Sequence, residues 1–138
     1  MVTKTRLAQC ACGRVTATTE GEPDIVVLCH CTACQRRTGS PFGVGAYFQR
    51  HAVTLAGLTK IFVRMVEGSN RTIINHFCPN CGGTVYWTLD MRPNHIGIAV
   101  GHFADPAFKP PMRAVWAQHK HEWITLPGDM PTFPKAAS

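Results

Sequence analysis

The sequence predicts an all-β protein of antiparallel sheets with few, short helices. Short β-type segments recur along the whole chain, turn residues separate them, and no stretch sustains a 3.6-residue apolar period. Its 138 residues predict one domain, 1–138, with no linker or internal repeat.

Taken in order, Thr5–Gln9 and 14–19 flank Cys10-Ala11-Cys12-Gly13 and read as a hairpin whose turn carries two thiols. Residues 24–28 form a third strand that leads into Cys29-His30-Cys31. Residues 32–37 suit a single helical turn, stopped by Gly39, Ser40 and Pro41. Strands follow at 42–49, 60–66, 71–77 and Thr84–Leu89, separated by Gly57, Gly68-Ser69-Asn70 and Pro79-Asn80. Two more are expected at 96–102 and 114–119. Three prolines make 104–112 an irregular loop between them. Residues 126–138 read as an extended C-terminal surface tail.

With 45% hydrophobic and 16% charged residues the composition is that of a globular protein, which excludes a disordered chain. No apolar run reaches membrane-spanning length, and residues 1–10 lack the apolar stretch of a signal peptide. The expectation is a cytoplasmic protein, where cysteines persist as thiols, with no membrane partner. Seven cysteines are also an odd number for a paired disulfide framework. The net charge of +6 invites a nucleic-acid reading. Seven thiolates on two zinc ions would lower it to +3, and Arg36-Arg37 is the only adjacent basic pair, so nucleic acid is not the expected partner. The oligomeric state is not readable.

The cysteines fall into three clusters: Cys10-x-Cys12, Cys29-x-Cys31-x₂-Cys34 and Cys78-x₂-Cys81. In the x₂ spacing a tight turn lets both sulfurs reach one metal, and Pro79, Gly82 and Gly83 supply that turn. In C-x-C on an extended chain both side chains project to one side. Buried apolar cysteines would not cluster at these spacings, and a redox C-x-x-C needs a βαβ context that is missing here. Zinc is therefore the expected metal, two ions per chain. Two pairs and one triple divide as four and three: Cys10, Cys12, Cys78 and Cys81 as a closed structural site, Cys29, Cys31 and Cys34 as a second, open site. The Cys29 cluster lending a ligand to another knuckle is the alternative. The open position also has alternative occupants among His30, His51, His76, His95, His102, His119 and His121, of which His30 lies between two ligands and points away.

A three-thiolate zinc with a vacant position is the arrangement of a reactive site, and a thiol taking that place is deprotonated at neutral pH. Arg36, Arg37, Thr38, Gly39 and Ser40 follow directly and offer groups suited to the carboxylates of a peptide thiol; a solvated turn is their plainer reading. Trp116 and Trp123 are candidates to wall the pocket, with core packing the expected role for both.

These residues resemble one family. The Cys-x-Cys-Gly near the N-terminus, Cys29-His30-Cys31-Thr32-Ala33-Cys34-Gln35-Arg36-Arg37-Thr38-Gly39-Ser40 and Phe77-Cys78-Pro79-Asn80-Cys81-Gly82-Gly83 are similar to the glutathione-dependent formaldehyde-activating (GFA) family, which includes centromere protein V. Val100-Gly101-His102-Phe103-Ala104-Asp105-Pro106 and Trp123…Leu126-Pro127-Gly128 extend the likeness over 5–134. The resemblance implies a zinc-stabilised β-tent, with Cys10, Cys12, Cys78 and Cys81 structural and Cys29, Cys31 and Cys34 at a glutathione-responsive zinc. It also implies a reaction, the joining of glutathione and formaldehyde into S-(hydroxymethyl)glutathione, which is carbon–sulfur lyase chemistry in reverse. The partners would be a small thiol and an aldehyde. The competing function is a non-catalytic zinc-stabilised module that binds a protein or nucleic acid.

Overall fold

A computed structural model describes residues 3–137, which divide into two compact units. One comprises residues 3–24 and 46–108, the other residues 25–45 and 109–137.

In the first unit, β1 (Thr5–Gln9) and β2 (Thr16–Glu20) form the expected antiparallel hairpin, in register from Thr5 opposite Glu20 to Gln9 opposite Thr16. Alternation explains the pairing, since Ala8, Ala17 and Thr19 turn inward and their neighbours outward. β5 (Val53–Ala56), which the sequence did not announce, pairs with the other edge of β2. The unit's second set of strands is the end of β4 (Gly43–Gln49), then β9 (His95–Ala99), β8 (Thr84–Leu89), β7 (Thr72–Phe77) and β6 (Lys60–Met65), in that order. The β6–β7, β7–β8 and β8–β9 pairs are antiparallel. Phe48, Ile96, Ile98 and Val85 are fully buried, and Ile73, Trp87, Leu89 and Ala99 pack as one apolar cluster.

The second unit holds β3 (Ile25–Cys29), the start of β4, α1 (Thr32–Thr38) and β10 (Arg113–Val115). α1 is the predicted helical turn. Cys31 caps its N-terminus, and Gly39, at φ +66, closes it by donating its N–H to the Gln35 carbonyl. Residues 131–135 run beside β10, with Phe133 N–H donating to Ala114 O at 2.9 Å and Trp116 N–H to Lys135 O at 3.1 Å.

Several expectations change. β10 pairs with β3 in parallel, from Arg113 opposite Val27 to Val115 opposite Cys29, so the protein is all-β but not purely antiparallel. The strand expected at 114–119 ends at Val115 because Trp116 adopts φ +56 and opens a 3₁₀ turn over Ala117–His119. The strand expected at 96–102 likewise gives way to a 3₁₀ turn over Val100–Phe103. Trp116 is buried as expected, whereas Trp123 is 73% exposed and packs in no core. Among the described residues no helix is long and apolar enough to cross a membrane.

Candidate metal centres

The first centre is built in the first unit by two turns far apart in sequence. In the β1–β2 turn Gly13 takes φ +80 and donates its N–H to Cys10 O, while Cys10 N–H donates to Val15 O, which folds the chain back over the two thiols. The second turn follows β7: Gly82 N–H donates to Cys78 O at 2.8 Å, Cys78 N–H to Gly83 O at 3.0 Å, and Gly82 takes φ +80. The four sulfurs converge within 4.8 Å of one another, with Cys10–Cys12 and Cys12–Cys78 each at 3.6 Å. A tetrahedral zinc with bonds of about 2.3 Å needs sulfurs roughly 3.8 Å apart, so the donor set fits. Val15 N–H donates to Cys10 Sγ at 3.3 Å and Asn80 N–H to Cys78 Sγ at 3.4 Å, bonds that stabilise thiolates.

Burial is uneven. Cys10 and Cys78 are buried and Cys12 and Cys81 exposed. The Asn80 side chain and the Arg14 backbone pull Cys12 down to about 6. Cys81 is lowered by the backbone of Gly83 and of Cys12. Cys78 is pulled down by the Cys81 backbone, but burial and the neighbouring thiols outweigh this and raise it. Behind the site, a Cβ built on Gly83 would lie 3.2 Å from His102 Nε2 and 3.4 Å from Cys10 Cβ, so a side chain there would press on both.

The second centre lies wholly in the second unit and is local. Cys29 ends β3, Cys31 is the N-cap of α1 and Cys34 sits in its first turn. The helix start folds Cys31 and Cys34 toward each other, with Cys34 N–H donating to Cys31 Sγ at 3.3 Å. The three sulfurs lie within 4.8 Å of one another. Among the described residues no histidine or carboxylate joins either group within that distance. Cys29 is raised by hydrogen bonding to Cys31 and Cys34 and then by burial. For Cys34, hydrogen bonding to Cys29 lowers it and nearby Arg37 helps, yet Cys31 and burial prevail and raise it. Three crowded thiols of this kind ionise together only around a cation, and the sulfur-only donor set suits zinc.

The residues after Cys34 are not equivalent. The Arg37 guanidinium lies against Gly43, where a Cβ would stand 2.6 Å from Nη2 and 3.5 Å from Cys34 Cβ. Arg36 is exposed. The Thr38 hydroxyl donates to Cys34 O at 2.9 Å and accepts from Ser40 N–H at 3.1 Å, and Ser40 Oγ accepts from Phe42 N–H, so both hydroxyls shape the end of α1. Gln35 carries an unforeseen role, since its amide donates to His30 O at 2.8 Å and His119 O at 3.2 Å and its carbonyl meets His121 Nε2 at 3.0 Å. The sequence carries no cue for this, because a glutamine on a short helix is ordinarily solvated. His30 is fully buried, edge-on to Phe42, with its imidazole pKa held down by burial and then by Lys120 and His121. His76 lies in the first unit, stacked on Tyr86 with Nδ1 3.0 Å from Thr59 Oγ1.

No curated protein matches the chain. Among solved structures it is similar to the crystal structure of a Rhodobacter sphaeroides protein, a structural-genomics target, at 18% identity and a TM-score of 0.50, over 75% of this chain and 91% of that one. The likeness shows a shared fold. Residues 5–119 match the sequence pattern described as glutathione-dependent formaldehyde-activating enzyme. That match takes in both cysteine clusters, and the chain belongs to the GFA family.

Proposed function

We propose that the chain is a zinc-dependent enzyme of carbon–sulfur lyase type that joins a thiol to an aldehyde, with glutathione and formaldehyde as the pair. The observation that carries this reading is the convergence of three sulfurs, from Cys29, Cys31 and Cys34, with no fourth protein ligand among the described residues. A thiol substrate has a place there, whereas the four-cysteine centre has its full complement and serves the fold.

Cys29, Cys31 and Cys34 would hold the zinc, which would supply a borderline-soft Lewis acid able to favour the ionised form of a thiol at neutral pH. The protein's own contribution is to position. Cys31, fixed as the N-cap, and Cys34, one turn on, hold their sulfurs at the start of α1. Arg37, beside Cys34 and Gly43, is the cation placed to take a substrate carboxylate, with Arg36 a second, exposed one. Thr38, Gly39 and Ser40 keep the end of α1, which carries Arg37, in shape. In the reaction the thiol sulfur bonds to the aldehyde carbon, the carbonyl π pair moves to oxygen, and the proton lost by the thiol ends on that oxygen. The product is a hydroxymethyl thioether, and the reverse reaction breaks the same carbon–sulfur bond.

The test is adduct formation by the zinc-loaded chain, measured against the spontaneous rate, with Cys31→Ser as control. The expected result is a rate above background that the substitution removes. A rate equal to background for glutathione and for other thiol–aldehyde pairs refutes the proposal.

A further inference from the structure

A run of exposed apolar side chains that neither cysteine group includes lies on β6. This strand pairs with β7 on one side and ends the strand order on the other. Ile61, Phe62, Val63 and Met65 are 56%, 60%, 52% and 57% exposed. A run of large apolar side chains on an open strand edge is unusual, because such edges pair with other chains unless charge or proline blunts them.

The direction of the free hydrogen-bonding groups follows from the register. Val66 N–H donates to Arg71 O at 2.8 Å, which continues the unbroken pairing of Lys60–Met65 with Thr72–Phe77. Alternate residues of an antiparallel strand bond to opposite sides, so Lys60, Phe62 and Arg64 face β7 with their backbone groups. Ile61, Val63 and Met65 therefore direct their N–H and C=O groups to the open edge.

We propose that this edge binds a second copy of the chain, the two β6 strands pairing antiparallel about a two-fold axis at Val63. Sequence self-complementarity selects both the partner and the register. About Val63, Ile61 lies opposite the partner's Met65 and Val63 opposite itself, so one face becomes a stripe of six apolar side chains. On the other face Phe62 meets the partner's Arg64, a cation against an aromatic ring. The outward backbone groups of Ile61, Val63 and Met65 then all find partners. Moving the axis to Phe62 instead sets Lys60 opposite the partner's Arg64, like charges directly across the ladder, which is unfavourable. An isologous two-fold contact of this kind closes on itself and leaves no growing edge.

The experiment is sedimentation velocity on the zinc-loaded full chain over a concentration series, for the parent, Val63→Lys, Val63→Glu, their equimolar mixture and Leu58→Lys. The parent should dimerise. Each Val63 variant alone sets like charges opposite each other at the axis and should weaken the dimer by about tenfold or more. The mixture sets lysine against glutamate and should restore a heterodimer, which also shows that both variants are folded. Leu58, exposed but outside the strand, should tolerate lysine with no loss of association. A monomeric parent, a Val63→Lys chain that dimerises like the parent, or a mixture that stays monomeric overturns the proposal, and a heavier open-ended series would show non-specific edge growth and overturn it equally.

Discussion

Removing zinc from the loaded four-cysteine centre should destabilise the first unit, and the size of the effect follows from the chain it closes. Cys12 and Cys78 lie 66 residues apart in sequence, with their sulfurs 3.6 Å apart in the fold. A link across a loop of that length lowers the conformational entropy of the unfolded chain by an amount worth about 4 kcal/mol, taking a cross-link as the analogue. A domain of this size has roughly 5–15 kcal/mol of stability in all. Losing the link should therefore lower Tm by about 10 °C or more. The bonds from Val15 and Asn80 N–H to Cys10 and Cys78 would also lose their charged acceptors, which acts in the same direction. The assay is thermal unfolding by calorimetry before and after a strong chelator, with metal content measured on both samples. Cys78→Ser should reproduce the loss, whereas Cys34→Ser, outside this centre and in a closure of only a few residues, should shift Tm far less. A chelated sample shown to be metal-free with an unchanged transition would refute the structural role. Equal losses in Cys34→Ser and Cys78→Ser would refute the reasoning from loop length.

Three further outcomes are expected. Gly57→Ala should destabilise the chain by about 2–5 kcal/mol in denaturant melts, because Gly57 has φ +97 and a Cβ there would overlap the Arg14 carbonyl oxygen. Gly43→Ala should leave Tm nearly unchanged, since the clash falls on the far end of Arg37, but should weaken glutathione binding about tenfold or more in calorimetric titration, as Arg37→Ala should; Arg36→Ala should do less. Asp24→Asn tests a pH effect: hydrogen bonding from His95 holds the Asp24 carboxyl below its ordinary value, so its contribution is present above about pH 4 and fades as pH falls through the lowered folded value. The Asp24 side chain is 45% exposed and solvent screens the pair, so the asparagine variant should lose under about 1 kcal/mol at pH 6 and nothing at pH 2, as read by melts at both pH values.

What was legible in the sequence is what local chemistry dictates. The hairpin at Cys10–Gly13 and the turn at Cys78–Gly83 carry their own glycines, and both form as the residue types require. The stop of α1 at Gly39 was likewise legible, and that glycine takes the left-handed conformation, whereas the cap supplied by Cys31 was not foreseen. The misses depend on distant partners. β5 has four residues without clear alternation, three of them exposed, and it is a strand because the free edge of β2 pairs with it. Trp116 favours strands by its own propensity, yet it takes a left-handed backbone because its ring is buried against His119 and its N–H is held by Lys135 O.

The same division runs through the two cysteine centres. The four-cysteine centre joins turns 66 residues apart; counting the ligands suggested that pairing but left a ligand lent by the Cys29 cluster open, and it is the fold that brings these four sulfurs together. The three-cysteine centre is local, spanning the end of β3 and the first turn of α1, and its sulfurs too were readable from spacing. Its surroundings were not. Gln35 ties α1 to the His119 and His121 segment, more than 80 residues on, and Gly43 sets where the Arg37 guanidinium rests. Sulfur spacing thus specifies which metal chemistry is available, while non-local contacts set which groups stand beside it. Under the function proposed above, substitutions at Arg37 and Gly43 should therefore change which thiol binds while metal content stays that of the parent, and a Gly43→Ala chain that loses metal would break this division of roles.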